Sequence, residues 1–215
     1  MIIELCCPSH HINYKDLIEG AFLSTDHGFD AFYTPVGYSS RVKPYFKHES
    51  IKTLTRLGAM IDYPRGDSPT PVKLHGILQA IQNECDLIDV VINHSFILNN
   101  DFVNFLKDIT TCVTVCTQNN VELRFIVDYK LFDIETYAGL CLYIKNKTGI
   151  STIVSSTGVF ADDPIENVIA CAECTKHGIK MICYSTMLSK QHIQLLIDSK
   201  IFAGRFNYSA QSKDI

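Results

Sequence analysis

The stretch CDLIDVVINHSFIL at residues 85–98 contains the segment that decides the fold, LIDVVIN at 87–93. Its apolar residues occupy consecutive positions, so they face both sides of an extended strand. A strand that is apolar on both sides is typical of a parallel sheet whose outer surface is covered by helices. Asp89 is a charged residue within this strand. We expect its side chain to point into the interior, together with that of Asn93.

Strand-like and helical segments alternate along the whole chain. The predicted strands are 2–6, 29–34, 58–63, 87–93, 121–128, 150–156, 179–185 and 201–207, and the predicted helices are 13–25, 39–54, 70–84, 100–118, 133–147, 163–177 and 189–199. Eight strands separated by seven helices predict parallel strands, and their even spacing favours closure into a (β/α)8 barrel. We expect one α/β domain over residues 1–215.

An open, doubly wound sheet has the same alternation and is the competing architecture. Neither of its usual nucleotide-binding loops, G-x-G-x-x-G or G-x-x-x-x-G-K-[ST], follows any predicted strand. Helix ends are marked in the sequence: Asp133 and Asp163 stand at expected N-caps, and Gly149 and Gly178 follow expected C-termini.

Composition excludes several classes of function. The 215 residues carry a net charge of −4, which predicts no binding to nucleic acid or to an anionic membrane. No apolar run approaches the roughly 20 residues that span a bilayer. The first residues, MIIELCCPSHH, lack the features of a signal peptide. We therefore expect a cytoplasmic protein.

The nine cysteines are scattered through predicted strands and helices, a pattern typical of buried, reduced thiols. Cys171 and Cys174 have C-x-x-C spacing, but they lie in a helical segment and no second ligand pair follows. A metal-dependent aldolase would need histidines at several strand ends, and only His94 is so placed. We expect neither a metal nor another cofactor.

Three stretches resemble the deoxyribose-phosphate aldolases, which are class I aldolases. They are IDYPRGDSPTPVKL at 61–74, CDLIDVVINHSFIL at 85–98 and ISTIVSSTGVFADDPIENV at 150–168. They are similar to that family's third, fourth and sixth strands with the loops that follow. The resemblance implies a (β/α)8 barrel with its functional site at the carboxyl ends of the strands.

The same resemblance shows what is missing. The family's Schiff-base lysine lies in a K-T-S-T-G segment, and the matching position here is Val154. The second lysine, on the seventh strand, is matched by Cys183, and the D-H-T motif of the first strand is absent. Asp89 matches the family's proton-transferring aspartate. Valine has no nucleophile and a thiol cannot form an imine, so ordinary Schiff-base aldolase activity is not expected.

The resemblance also implies a phosphate site, which is only partly retained. Thr157 and Gly158 match the S-T-G turn, while the two glycine-rich segments that follow the later strands are lost. Arg205 could contribute positive charge there, and Ser156 and Cys183 are expected to face the same interior. The predicted ligand is a small sugar-like or anionic molecule, such as a sugar phosphate.

Polar residues at the end of the fifth strand are further candidates. Arg124, Asp128 and Lys130 share one side of the strand and are expected to point inward, because charged residues avoid the apolar helix layer. Arg124 is expected to form a buried ion pair. Asp128 and Lys130 either form a rim salt bridge or belong to the site. Lys130 is the one candidate for a relocated amine, although nearby Asp128 would keep it protonated.

Two functions stay open from the sequence. In the first, the chain binds a small ligand at the strand ends, with Asp89 and Lys130 as candidate catalytic residues. In the second, it is a non-catalytic pseudoenzyme that acts as a regulatory or scaffold protein, and in either case homo-oligomers are compatible with the sequence. An open polar cavity that exposes Asp89 would favour the first. A mouth plugged by Val154, Met181 and Met187 would favour the second.

Overall fold

The computed structural model describes residues 2–7, 13–46, 54–159, 163–186 and 190–208. Eight strands lie in these ranges: β1 (Ile2–Cys6), β2 (Ala31–Pro35), β3 (Arg56–Ile61), β4 (Leu87–Val91), β5 (Glu122–Ile126), β6 (Thr152–Val154), β7 (Lys180–Ser185) and β8 (Ala203–Asn207). Each strand runs parallel to the next along the chain, and β8 pairs with β1. The closed (β/α)8 barrel confirms the predicted fold class and excludes the open sheet.

The described residues also contain eight helices: α1 (Tyr14–Asp26), α2 (Val36–Val42), α3 (Thr70–Gln82), α4 (His94–Leu98), α5 (Phe102–Gln118), α6 (Ile134–Thr148), α7 (Pro164–Thr175) and α8 (Lys190–Asp198). The prediction missed α4, which begins three residues after β4 because the Asn93 side chain caps it. Helix α2 is earlier and shorter than the predicted 39–54 and continues as a 3-10 turn, Lys43–Tyr45. Residues 47–53 lie outside the described ranges.

The predicted helix ends are confirmed. Asp133 Oδ1 accepts the Thr136 N–H at 2.8 Å, and Asp163 Oδ1 accepts the Ile165 N–H at 3.0 Å, as N-cap carboxylates do. Gly149 has φ +77° and ends α6. This left-handed conformation is strained for residues with a Cβ, so glycine is favoured there. None of the described helices is long and apolar enough to cross a membrane.

Strand alternation divides the buried side chains into two layers. The outer layer lies between sheet and helices and includes Ile88 and Val90 of β4. The inner layer fills the barrel and includes Leu87 and Val91 of the same strand. Asp89 therefore points inward, and its contact with a β8 side chain across the barrel confirms that prediction.

The prediction for β7 was wrong by one position. Met181 and Cys183 belong to the outer layer, whereas Ile182 and Tyr184 face the barrel interior. Because side chains alternate with a period of two, a shift of one residue in a sequence match reverses every assignment on a strand. Cys183 therefore cannot occupy the interior position where the resemblance placed the second lysine.

Candidate functional site

The middle of the barrel contains a network of buried ion pairs. Arg124 Nη1 donates to Glu4 Oε1 at 2.6 Å, and Arg205 donates twice to Glu4 Oε2, at 2.7 and 3.0 Å. Arg124 also contacts Glu122 at the lower end of the barrel, at 2.9 Å. Burial raises the pKa of Glu4, but Arg205 and Arg124 outweigh that effect, so its pKa lies below the ordinary value. The predicted ion pair of Arg124 is confirmed.

Asp89 is fully buried beside this network. Its Oδ2 lies 2.5 Å from Arg205 Nη1, yet neither atom has a hydrogen-bond partner among the described residues. The two side chains form a buried ion pair. Burial raises the pKa of Asp89, and Arg205 and Arg124 offset only part of that increase. Since solvent does not reach the carboxylate, it cannot exchange protons with a ligand at the mouth in this conformation.

Tyr33 holds Arg205 in place from the opposite side. The guanidinium carbon lies 3.7 Å from the centre of the Tyr33 ring, a cation–π geometry. The other side of the ring lies against Gly58, where an added Cβ would come within 2.2 Å of a ring carbon. Arg205 is therefore held within the interior and does not reach the mouth. That placement contradicts the prediction that Arg205 contacts a ligand.

Uncharged side chains cover the ion pairs. Two residues beyond Glu4, Asp89 and Arg124, the strands present Cys6, Val91 and Ile126, which are buried in the inner layer. The same layer contains Val154, with an exposure of 0%. The prediction that position 154 faces the interior is confirmed, but its neighbours are apolar side chains, including Ile182. An imine cannot form at this position.

Two tyrosines close the mouth above this layer. Tyr63 extends from the loop after β3 and donates its hydroxyl to the Thr157 carbonyl at 2.5 Å. Tyr184 donates to the Asn207 side chain, which also accepts the Cys6 thiol at 3.3 Å. The mouth is thus plugged, though not by the predicted residues, because Met181 lies in the outer layer and Met187 lies outside the described residues.

The loop that carries Tyr63 is fixed by a buried charge cluster. Lys73, fully buried on α3, donates to Asp108 Oδ2 at 2.8 Å and to the Val91 carbonyl at 3.1 Å. Its Nζ lies 3.8 Å from Asp62 Oδ2. Asp62 has φ +56°, an uncommon conformation outside glycine, and its carboxylate accepts the Ser68 N–H and hydroxyl. These contacts hold Tyr63 across the mouth.

The Asp128 carboxylate accepts the hydrogen bonds that the S-T-G turn would otherwise donate to a bound anion. Its Oδ1 accepts the Thr157 N–H at 2.8 Å and the Ser156 hydroxyl at 3.0 Å, and the Thr157 hydroxyl donates to Oδ2 at 3.0 Å. The Gly158 N–H donates to Ser156 Oγ at 2.9 Å. A carboxylate of the chain itself therefore lies where an anion nest was expected.

The packing of the chain itself requires glycine at position 158, independently of any ligand. Its φ is +75°, and a Cβ there would lie 2.3 Å from a carbon of the Tyr184 ring. Both the backbone conformation and the close approach of Tyr184 require glycine. Packing within the chain therefore accounts for the glycine of this turn.

The remaining predicted residues lie around the rim. Asn93 is buried and its Oδ1 caps α4 through the Ser95 N–H at 3.0 Å. Lys130 forms an ion pair with Glu166 of α7, whereas the sequence left open a rim salt bridge with Asp128 or a place in the site. A paired ammonium is not a Schiff-base nucleophile. Asn93 and Lys130 are therefore held by contacts within the chain.

His94 connects α4 to the end of β5. Its Nε2 accepts the Asp128 N–H at 3.0 Å, which requires the neutral ring with its proton on Nδ1. Burial lowers the pKa of His94, and the charge of Lys73 acts in the same direction, so that the pKa lies at about 4. Near neutral pH the ring is uncharged.

A pocket of about 250 Å³ lies at the rim, beside the closed mouth. Its lining combines apolar and polar side chains: Pro64, Arg65, Asp67, His94, Ser95, Leu98, Asp128, Leu131 and Val159. Its one cationic side chain, Arg65, contacts Asp67 at 2.8 Å. With Asp128 added, the charged lining carries an excess of one negative charge. An anionic ligand is disfavoured here, contrary to the sequence prediction.

The described ranges contain neither a group of side chains suited to bind a metal nor an exposed cysteine. None of the nine cysteines forms a disulfide within the described ranges and all are buried, and burial raises the pKa of Cys116 to about 12. No three His, Cys, Asp or Glu side chains of these ranges are grouped as metal ligands.

Sequence reasoning missed Tyr63 and Tyr184, which close the barrel mouth, and Lys73, which fixes the loop that carries Tyr63. Two of them were within quoted motifs: Tyr63 lies two residues after β3, and Lys73 is the lysine of the V-K-L segment. An inward position at the end of a strand was a usable signal for Tyr184. A lysine that a helix buries against the sheet has no such signal, because its burial depends on Asp108 of a distant helix.

Solved structures of known proteins share the fold of this chain, and curated relatives match part of its sequence. No family model matches the chain. The deoxyribose-phosphate aldolase of Treponema denticola is 27% identical over 144 residues, 67% of this chain and 64% of that protein. That of Streptococcus pyogenes is 32% identical over 123 residues, 57% of this chain and 54% of that protein. The chain thus matches less than two thirds of the length of either relative.

Solved structures match over nearly the whole chain. The deoxyribose phosphate aldolase from Aeropyrum pernix, described as a tetramer, has a TM-score of 0.81 at 17% identity, with 94% of this chain and 84% of that chain covered. The N-acetylmannosamine-6-phosphate 2-epimerase from Clostridium perfringens has a TM-score of 0.63 at 12% identity, with 99% and 90% covered. At these identities the likeness establishes the fold alone.

Proposed function

We propose that this divergent member of the deoxyribose-phosphate aldolase family has lost imine-forming chemistry and acts as a binding module, with the rim pocket as its ligand site. One observation carries the proposal: the barrel interior is closed above Asp89. Val154 replaces the nucleophile, the ion pairs of Arg205 lie below it, and Tyr63 and Tyr184 cover the mouth. These features favour the non-catalytic alternative of the sequence analysis.

The rim pocket supports an uncharged ligand. Its volume of about 250 Å³ is slightly below the range of roughly 300–1,000 Å³ for small-molecule sites, so the ligand is small. Leu98, Leu131 and Val159 offer apolar contacts, while His94 and Asp128 are polar. The donors of the S-T-G turn already bind Asp128. A small polyhydroxy compound without a phosphate fits this lining better than a sugar phosphate.

Calorimetric titration tests the ligand class. We expect a weak, saturable signal with an uncharged sugar such as 2-deoxyribose and a smaller or absent one with its 5-phosphate or with inorganic phosphate. The variant Ser95→Trp fills the pocket from an exposed lining position and should abolish binding. Val103→Trp, on the exposed surface of α5, is the matched control and should bind as the wild type does. Preference for the phosphate would overturn the assignment.

Homo-oligomerisation stays a prediction for this chain. The Aeropyrum pernix relative is described as a tetramer, and analytical ultracentrifugation of this protein at several concentrations would establish its own state.

A further inference from the structure

The barrel interior contains four polar atoms that lack hydrogen bonds. They are both carboxylate oxygens of Asp89, the hydroxyl of Tyr33 and Nη1 of Arg205. All three residues have an exposure of 0%. Among the described residues none of these atoms has a hydrogen-bond partner. Buried polar groups in folded proteins are almost always hydrogen-bonded, to protein or to internal water.

The four atoms belong to one neighbourhood. Asp89 Oδ2 is 2.5 Å from Arg205 Nη1, and the same guanidinium lies over the Tyr33 ring at 3.7 Å. Gly58 supports the opposite side of that ring, so the phenol cannot turn away. Asp89 Oδ2 and Arg205 Nη1 are thus paired by charge, while Asp89 Oδ1 and the Tyr33 hydroxyl have no partner among the described residues.

The chemistry of these four polar atoms defines which molecule could form hydrogen bonds with them. A carboxylate accepts hydrogen bonds, a guanidinium N–H donates, and a phenol does both. The guest must therefore donate and accept. It must also be uncharged, because Glu4 and Asp89 balance Arg124 and Arg205 in the surrounding network. Water meets these requirements, and it needs only about 10–15 Å³ of accessible space.

We infer that the barrel interior is a binding site for internal water, which bridges the Asp89 carboxylate to Tyr33 and Arg205. The inference is independent of the rim pocket. The plug formed by Tyr63, Tyr184 and the layer of Cys6, Val91 and Ile126 separates this site from solvent. Such water exchanges only when the mouth opens, so its residence is long. In this account Asp89 is a structural residue whose partners are water and arginine.

Water-oxygen magnetic relaxation dispersion detects long-lived internal water in solution. We expect the wild type to show at least one such molecule, and Tyr33→Phe to show fewer, because that variant keeps the ring over Arg205 and removes only the hydroxyl. Tyr129→Phe is the matched control, since it removes a buried hydroxyl of the outer layer that is already hydrogen-bonded within the chain, to the backbone of Asp163. Its dispersion should equal that of the wild type.

A crystal structure at high resolution locates the guest. We expect a density peak within about 3 Å of the Asp89 carboxylate and of the Tyr33 hydroxyl. Direct hydrogen bonding between Tyr33 and Asp89, with no peak, would overturn the inference. An anomalous peak there after a bromide or rubidium soak would also overturn it, because the guest would then be an ion. Equal dispersion in the wild type and Tyr33→Phe would contradict it independently of crystals.

Discussion

Protonation of His94 should destabilise the fold below neutral pH. In the folded protein burial lowers its pKa to about 4, compared with 6.5 ordinarily. Above pH 6.5 the ring is neutral in both states, so this residue contributes no pH dependence. As the pH falls from 6.5 to 4, the unfolded chain binds a proton that the folded chain does not, and stability is lost. Below pH 4 the loss is complete.

The size of the effect follows from the shift in pKa. The difference between the two values corresponds to about 3 kcal/mol, at 1.36 kcal/mol per pKa unit, and the ring is only 7% exposed, so solvent screens it little. His94→Gln supplies an amide oxygen for the Asp128 N–H and does not titrate. We therefore expect the stability of the wild type relative to His94→Gln to fall by about 3 kcal/mol between pH 7 and pH 4.

Urea denaturation followed by circular dichroism at several pH values measures this difference. The control is His75→Gln, an exposed position on α3, which should leave the pH dependence unchanged. If the difference between the wild type and His94→Gln is constant with pH, His94 titrates normally in the folded state. The assigned ring state and its bond from the Asp128 N–H would then be wrong.

Four further changes test other parts of the structure. Lys73→Met should destabilise the fold by about 3–5 kcal/mol in urea, because the buried Asp108 carboxylate loses its cation and keeps only a hydrogen bond from the Thr70 hydroxyl, whereas Lys107→Met on the exposed surface of α5 should have little effect. Asp128→Ala should be destabilising, and inorganic phosphate should raise the Tm of this variant more than that of the wild type, since the donors of the turn become available. Tyr63→Phe should cost about 1 kcal/mol and speed amide exchange at residues 155–158, as seen by NMR. Val154→Lys should lower stability by several kcal/mol, against a small change for Val154→Ile, and should gain no aldolase activity, because the mouth stays closed.

The fold was predictable because its signals are local. LIDVVIN is apolar on both faces, the caps at Asp133 and Asp163 lie at the helix starts, and the alternation of elements is even. The inward direction of Arg124 followed from the alternation of side chains along its strand, and that of Asp89 and Val154 followed from the resemblance. Helix α4 was missed because five residues are too few to show helical periodicity.

The state of the site was less predictable because it depends on contacts between distant segments. Arg205 was expected near a ligand, but Glu4, 201 positions away, holds it in the interior. Lys130 was expected beside Asp128, but Glu166 of α7 binds it. Cys183 was misplaced by one position on β7. None of these pairings has a sequence pattern, since each is determined by how the closed barrel brings its strands and helices together.

Reductive trapping tests the central claim most directly. The protein is incubated with acetaldehyde or 2-deoxyribose 5-phosphate, reduced with borohydride, and its lysines are mapped by mass spectrometry. An active deoxyribose-phosphate aldolase is the positive control. We expect only slow labelling of exposed lysines and no cleavage of the sugar phosphate. The pocket variant Ser95→Trp should be labelled to the same extent as the wild type. Fast, selective labelling of one lysine, such as Lys130, together with turnover, would show that the chain is an imine-forming enzyme.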